Sequence, residues 1–521
     1  MTGHGPTTVE DVTVVGGGDA GKLAALIFKA EQPSLDVRVI DDPADPPREV
    51  GKSTFSSITS ILHNHLGIDR EEFFREVTPV WKHSVYFEDW TGEELFTPFD
   101  LKDVFDMADR PLEDVHYRYR NDNFETINQV ATTERKAPFV EEFGGIDFDS
   151  PYPYVAYHLN VYNFDDYLRG LLVERGVDLV EDRIESVVTD GEWVTGIEGE
   201  QGSYEADLYV DATGFRRVLA SQLPVEFLEF DFPLDAAVVT QVPIDLAEIV
   251  PATVVRTLDS GWTWQIDTTE ARDLGYVYAS EYADRETAER EFRKRHEIPE
   301  SADVAAYSFT SGRFDRAWVG NCLVAGDAFA FVEPLQATSL STHAHITYDV
   351  VKQLTDNNWT MHDGLRQIVD GTADGYWTEI YDFLTAFYRY SRGETAFWEY
   401  MRTVGDDADW EAYENTYRSG AGLLLSRSKA DREITFGRVF NVYQTDYTMY
   451  DLGVPIELHE SGIVEVSDRT SERVDDVAQR IHNAVEGFLT YPEVYSEEYL
   501  GDPTTEDDDG VEESADNKFL T

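Results

Sequence analysis

Val12-Thr13-Val14-Val15-Gly16-Gly17-Gly18-Asp19-Ala20-Gly21-Lys22-Leu23-Ala24-Ala25 is the stretch that decides the fold. An apolar run enters a glycine turn, and an alanine- and leucine-rich stretch leaves it as a helix toward Ala30. A second apolar run, Asp36-Val37-Arg38-Val39-Ile40, ends on Asp41-Asp42. The spacing predicts a strand-helix-strand unit. Gly16, Gly18 and Gly21 satisfy G-x-G-x-x-G, with Ala20 inside the turn. Glycines there permit the tight turn, let the backbone approach a pyrophosphate and let the helix pack on the strand. The phosphates then meet the unpaired N–H groups of a helix N-terminus, whose dipole favours anions. An acidic residue some 20 positions on is expected to bond a ribose hydroxyl, and Asp41 stands there. The predicted fold class is α/β, built on a Rossmann-like dinucleotide-binding module.

Outward from that unit, Gly51 to Leu66 reads as a loop entering an apolar helix, and Ser84 to Glu88 as a strand. Residues 91–150 are rich in Asp, Pro and aromatics without a repeat, and are expected to be an irregular loop layer over a pocket. A helix over Leu159 to Glu174 leads into the run Gly176 to Val180. Hairpin-like strands then reach Asp211, strand-rich sequence fills 235–280, and a strand-turn-helix signal spans Val319 to Val351. Beyond it the chain is helical and aromatic (Tyr376, Trp377, Tyr381, Phe383, Phe387, Tyr388). The resulting division is a module over 8–345 with a mixed-sheet pocket region inserted near 91–150 and 220–310, a helical layer over 346–500, and an acidic disordered tail over 501–521.

Charge narrows the partners. Lys plus Arg total 42 and Asp plus Glu 102, a formal net charge of −60. Such a chain repels itself, nucleic acid and anionic membranes, which disfavours the last two as partners. The acids are spread over the chain, the pattern expected of a surface adapted to a salt-filled, halophilic cytoplasm. There, at roughly 1 M ionic strength, the Debye length is about 3 Å. Cys322 is the single cysteine, so an intrachain disulfide is excluded. The first apolar run is too short for a signal peptide, and no stretch approaches the ~20 apolar residues of a membrane span. A cytoplasmic protein is expected. His63, His65, His343 and His345 lack accompanying carboxylates at ligand spacing, so no metal site is expected.

Two later segments favour FAD over NAD. Asp211-Ala212-Thr213-Gly214 closes a hydrophobic strand, and Gly326-Asp327 follows another, Leu323-Val324-Ala325. Both resemble elements of FAD-dependent monooxygenases, in which the Gly-Asp pair contacts the flavin ribityl chain.

Further stretches, in order, resemble the flavin-dependent tryptophan halogenase family. Gly51-Lys52-Ser53-Thr54 stands where that family has a Gly-Glu-(Ala/Ser)-Thr turn. Trp81-Lys82 and Val85-Tyr86-Phe87-Glu88-Asp89-Trp90 are similar to the segment carrying its essential lysine. Gly261-Trp262-Thr263-Trp264-Gln265-Ile266 is similar to its WxWxIP signature, with Asp267 in place of proline. Phe331-Val332-Glu333-Pro334-Leu335-Gln336-Ala337-Thr338-Ser339 resembles the halide and flavin loop, and Glu394-Thr395-Ala396-Phe397-Trp398 the C-terminal helix signature. The resemblance implies FADH2- and O2-dependent halogenation of an electron-rich aromatic compound of indole, phenol or pyrrole type. The route it implies is a flavin hydroperoxide and hypohalous acid relayed by Lys82.

The same resemblance implies chloride or bromide as co-substrate and a separate NAD(P)H-dependent flavin reductase, with a homodimer allowed. FAD is expected on Gly16, Gly18, Ala20, Gly21, Asp41, Ser53, Thr54, Gly214, Gly326, Asp327, Pro334 and Leu335. Halide is expected at Thr338 and Ser339, with Lys82 and Gln336 in catalytic positions and Trp262 and Trp264 walling the pocket. Tryptophan-specific members carry a Glu where this chain has Gln336, which cannot act as a base at neutral pH. The alternative is a halogenase-fold monooxygenase that does not use halide, or a silent FAD-binding scaffold. From the residues alone, Lys82 is one of ten lysines and sits among Val80, Trp81, Val85 and Phe87. In that setting desolvation lowers an amine's pKa. Trp262 and Trp264 alternate along a strand and are expected to face one side.

Overall fold

The computed structural model describes residues 5–45, 51–101, 111–121, 125–142, 145–146, 154–405, 408–419, 439–440, 442–460, 462 and 464–496. Its centre is a six-stranded sheet ordered Asp178–Glu181, Asp36–Asp41, Asp11–Val15, Leu208–Asp211, Cys322–Val324 and Trp318–Val319. The first five strands run parallel and the edge pair is antiparallel. Parallel strands need covering on both faces, and their near-continuous Val, Leu and Ile content answers that need. The helix Asp19–Glu31 makes the predicted crossover. It is apolar almost all round, from Leu23 to Phe28, because it is wedged between the sheet and the helices Val161–Glu174 and Ser339–Asp356.

A second, seven-stranded sheet runs Ala305–Ser308, Ala236–Val242, Arg272–Tyr278, Gly261–Asp267, Ala252–Leu258, Ser84–Phe87 and Leu95–Pro98. It is antiparallel except where Ala252–Leu258 meets Ser84–Phe87. A small third sheet holds Lys52–Ser53, Ala156–Leu159 and Val80–Lys82, with Ala156 opposite Lys82 and His158 opposite Ser53. The chain passes from it into the seven-stranded sheet through His83, whose N–H donates to the Pro251 carbonyl at 2.8 Å.

The expected irregular layer over 91–150 needs correction. Its described residues hold the strand Leu95–Pro98, the helices Pro111–Asn121 and Ile127–Thr133, and the strand Lys136–Glu142. Ile127–Thr133 opens with a capping box in which Thr126 and Gln129 exchange side-chain and backbone bonds. Short elements in charged, aromatic sequence carry too few turns to show a period. The helix expected after Gly51 is, over Ser60–His65, wound as a π-helix.

The C-terminal helices dock on this frame. Asp363–Arg389 buries Trp377, Phe383 and Phe387, and Phe387 stacks on Phe87 at 4.9 Å between ring centroids. The helix Asp468–Glu486 packs on Pro111–Asn121 and Ile127–Thr133, and the strand Phe488–Thr490 pairs with Lys136–Glu142. Tyr491 then donates to the Trp81 carbonyl at 2.9 Å, so the short helix Tyr491–Val494 buttresses the strand that carries Lys82. One helix, Ser339–Asp356, runs unbroken through residue 345, and one apolar core reaches from Val9 to Val494. The predicted acidic tail lies outside the described residues. No helix among the described residues is long and apolar enough to cross a membrane.

Candidate active site

The glycine loop is shaped for a ligand's backbone approach. Gly16 has φ +113, and a Cβ there would lie 2.3 Å from the Ala212 carbonyl; one on Gly21 would lie 1.9 Å from the Gly16 carbonyl. These two glycines are demanded by packing. Gly18, at the helix N-terminus, has nothing within 4 Å of its Cβ position, and no side chain caps the helix there. Its amides are left for an anion. Asp41 accepts from the Gly17 N–H at 3.2 Å, and burial raises its carboxyl above the ordinary range. A cleft beside it is lined by Gly17, Lys22, Asp41, Arg169, Leu172 and Glu181. Lys22 is buried, bonded to the Gly17 carbonyl and paired with Asp165.

The later flavin motifs converge on the same loop. Ala212 abuts Gly16 as described, and the buried Asp211 carboxylate takes hydrogens from Thr213, Leu219 and Ala220, which pins the turn leading to Gly214. Gly326 (φ +63) packs so closely that a Cβ would lie 2.7 Å from the Ala20 methyl. Asp327 takes a long 3.4 Å bond from Ser339. An open glycine cradle, a helix N-terminus and an acid at the ribose position together fit FAD.

Lys52 and the next two residues lead from this cradle to the second half of the site. The Lys52 ammonium pairs with Asp19, the first residue of the glycine-loop helix. Ser53 and the Thr54 carbonyl hold Lys82, whose amine donates to Ser53 Oγ at 2.9 Å and to Thr54 O at 3.0 Å. The expected FAD ligands Ser53 and Thr54 therefore have committed side chains. Ser53 also bonds Thr253, and Thr54 Oγ1 is engaged with the Tyr157 backbone. Lys82 is fully buried, 5.5 Å from the centre of the Phe99 ring, and desolvation pushes its amine down to about 7.

Trp262 and Trp264 do share a face, with ring centroids 6.0 Å apart. Trp264 lies flat on Gly275, where a Cβ would be 2.0 Å from the ring. Trp262 donates to the Tyr388 hydroxyl at 2.9 Å, and Tyr388 in turn faces Glu333. Glu333 is buried, accepts from the Leu335 N–H at 2.9 Å, and is pushed up to about 8 by desolvation. Pro334 and Leu335 follow it into a turn closed by the bond from Ala337 N to Pro334 O. Gln336 is buried, takes a long 3.4 Å bond from Thr97, and its Nε2 has no partner among the described residues. Ala337 has φ +54, a conformation disfavoured for a non-glycine residue, and releases the chain into the 18-residue helix that begins at Ser339, with Thr338 as its cap. Asp267, where proline is usual, is fully buried and bonded to Arg272, Gln265 and the Val250 N–H.

His158, Thr253 and Asp165 carry no motif in the sequence, whereas Phe387-Tyr388 resembles the start of the family's C-terminal helix signature. The one local signal was His158 itself, a titratable residue inside the apolar run Ala156 to Leu159. The paired histidines at 63/65 and 343/345 instead bond backbone carbonyls or stack on rings.

A parallel sheet with a glycine cradle, tied through Lys52 to a small antiparallel sheet that buries a lysine, is the frame of a dinucleotide-binding oxidoreductase. A model of the tryptophan halogenase family matches residues 11–461, and the chain belongs to that family. It is 29% identical over 460 residues to the tryptophan 7-halogenase RebH of Lentzea aerocolonigenes, covering 82% of this chain and 85% of RebH. To the tryptophan 6-halogenase SttH of Streptomyces toxytricini it is 30% identical over 430 residues, covering 76% and 81%. Among solved structures, the tryptophan 5-halogenase MibH superposes with a TM-score of 0.78 at 27% identity, covering 96% of each chain. The tryptophan halogenase of Shewanella frigidimarina, at 21% identity and TM-score 0.81, covers 95% of this chain and shares the fold. The protein is thus a flavin-dependent enzyme of the halogenase type, using FADH2 and chloride or bromide.

Proposed function

We propose that the enzyme halogenates an electron-rich aromatic ring of indole, phenol or pyrrole type, with Lys82 presenting the oxidised halogen. One observation carries this reading. A fully buried amine is gripped by Ser53 and Thr54, directly after the residue that is tied to the glycine cradle. When bound, FADH2 with O2 supplies the oxidising equivalents that make the halide electrophilic. Halide itself would rest at the N-terminus of the helix Ser339–Asp356, where Thr338 and Ser339 offer backbone N–H groups and the dipole favours an anion.

Lys82 has two hydrogens engaged and one tetrahedral position with no hydrogen-bond partner among the described residues. As an ammonium it donates from that position to an incoming hypohalous oxygen. With its pKa near 7, a large fraction is neutral amine at neutral pH, able to take the ring proton once the carbon–halogen bond has formed. That second task matters because Gln336 cannot accept a proton and Glu333, held near 8, is mostly protonated. The relatives named above act on tryptophan; Gln336 supports an aromatic substrate whose ring proton needs no carboxylate. A separate NAD(P)H-dependent reductase would supply FADH2.

The test offers photochemically reduced FAD, O2 and bromide with a panel of indoles, phenols and pyrroles, and reads products by mass spectrometry. Monohalogenated product from the native enzyme, and none from Lys82→Ala with unchanged FAD affinity, is expected. Oxygenated product without halogen would establish the monooxygenase alternative, and normal halogenation by Lys82→Ala would overturn the lysine's role.

A further inference from the structure

Lys82 does not end at Ser53. Ser53 Oγ lies 2.8 Å from Thr253 Oγ1, which lies 3.0 Å from His158 Nε2, and His158 Nδ1 lies 3.1 Å from the Asp267 carbonyl. Lys82 and His158 are fully enclosed and Thr253 nearly so. Four strands build this line. Ser53 and His158 are antiparallel partners, Lys82 hangs from the strand on the other side of His158, and Thr253 reaches in from the seven-stranded sheet.

The hydrogens along the line have one consistent order. A carbonyl can only accept, so His158 Nδ1 carries the ring hydrogen and Nε2, in a neutral ring, can only accept. Thr253 must then donate to His158 and accept from Ser53. Ser53, its hydrogen used, can only accept from Lys82. Burial holds the His158 ring neutral, with its pKa near 3, and the Lys82 charge adds to that. The Thr54 carbonyl is a second obligate acceptor. Two tetrahedral positions of the Lys82 nitrogen are therefore always N–H, and a proton, a lone pair or a halogen contact can occupy only the third.

We propose that Thr253 and His158, acting through Ser53, are positioning residues that force Ser53 to accept from Lys82, thereby aiming its one variable position and favouring its protonated form. This rests on the reading of Lys82 as the halogen-presenting residue. The titratable and charged groups around the line are His83 beside Lys82, Lys52 beside Ser53, Tyr157 beside His158, and Asp267, whose carboxylate is engaged by Arg272. Asp273 stands close by, bonded to the Gly51 N–H. None of them hydrogen-bonds the Lys82 amine.

Thr253→Val keeps the β-branched shape and removes the hydroxyl. The Ser53 hydrogen loses its acceptor and turns to the Lys82 lone pair, which stabilises the neutral amine. The experiment titrates Lys82 by NMR of the 13C-lysine-labelled, FAD-loaded full chain, with the resonance assigned by its loss in Lys82→Met. The expected result is a Lys82 titration about one pH unit lower in Thr253→Val, the matching limb of the halogenation pH profile moving with it, and both restored in Thr253→Ser. A Thr253→Val titration equal to the native one overturns the proposal. So does a lowered titration that Thr253→Ser fails to restore, since that reports lost packing of the methyl group. Thermal melts of both variants confirm that the fold is retained. If no halogenated product forms from the native enzyme while the NMR titration still responds to Thr253→Val, the functional reading fails and the hydrogen-bond order stands.

Discussion

At the scale of single residues, the role proposed for Lys82 is set against the cost of burying its amine. Its amine has an ordinary pKa of 10.5 and a folded one near 7. Between those values the unfolded chain binds more protons than the folded one, so stability rises with pH across that window. Below about pH 7 both forms are protonated and the full penalty of burying the charge is present. Lys82→Met removes that penalty and leaves Ser53 and the Thr54 carbonyl with one partner fewer, a smaller loss. The variant is expected to be inactive yet more stable than the native enzyme by about 1–3 kcal/mol at pH 6. The gain should shrink by up to about 1.4 kcal/mol per unit between pH 7 and 9. Urea unfolding at several pH values checks this, and a variant less stable than native at pH 6 would show that the two hydrogen bonds outweigh desolvation.

At the scale of elements, the glycine loop separates packing from ligand binding. A Cβ on Gly21 collides with the Gly16 carbonyl, whereas one on Gly18 meets nothing within 4 Å. Gly18→Ala should keep its melting temperature within about 2 °C of native, the range of an uncrowded site, while losing at least about tenfold in FAD affinity by fluorescence titration. Gly21→Ala should lose both. Equal FAD affinity in Gly18→Ala would mean that the phosphates do not sit over that residue. This loop was legible in the sequence because its whole logic fits within some thirty residues, from Val12 to Asp41; the burial of Lys82 was suggested by its immediate apolar neighbours, and its proposed role only by the resemblance of its segment to the family's. The support of Lys82 was not. Thr253 bonds Ser53 across 200 positions and His158 across 95, distances at which no local pattern survives. The helix Ile127–Thr133 is a different kind of miss. Its Thr126-to-Gln129 capping signature was present in the sequence, but the surrounding irregular composition obscured it.

At the scale of the whole molecule, the net charge of −60 has to be reconciled with a site that binds a pyrophosphate and a halide. The described ion pairs resolve part of that conflict locally. Lys22 pairs with Asp165 and Lys52 with Asp19, so these two acids add no net negative charge at the cradle. The remaining acids act as a long-range repulsive field, which ordinary salt screens over about 8 Å and concentrated salt over about 3 Å. Repulsion within a compact chain falls as that length drops below the spacing of neighbouring carboxylates, while the unfolded chain gains little because its charges are already far apart. The melting temperature should therefore rise by about 4 °C between 0.1 and 2 M potassium chloride, the size expected if screening supplies several kcal/mol in a chain this long, where a degree is worth about 1 kcal/mol. Potassium acetate at equal ionic strength separates the causes. A matching rise reports screening of the acidic surface. A rise in chloride alone reports halide binding at Thr338 and Ser339 and removes the case for adaptation to salt. A flat response in both salts would mean that the acids are spaced widely enough to be tolerated without screening.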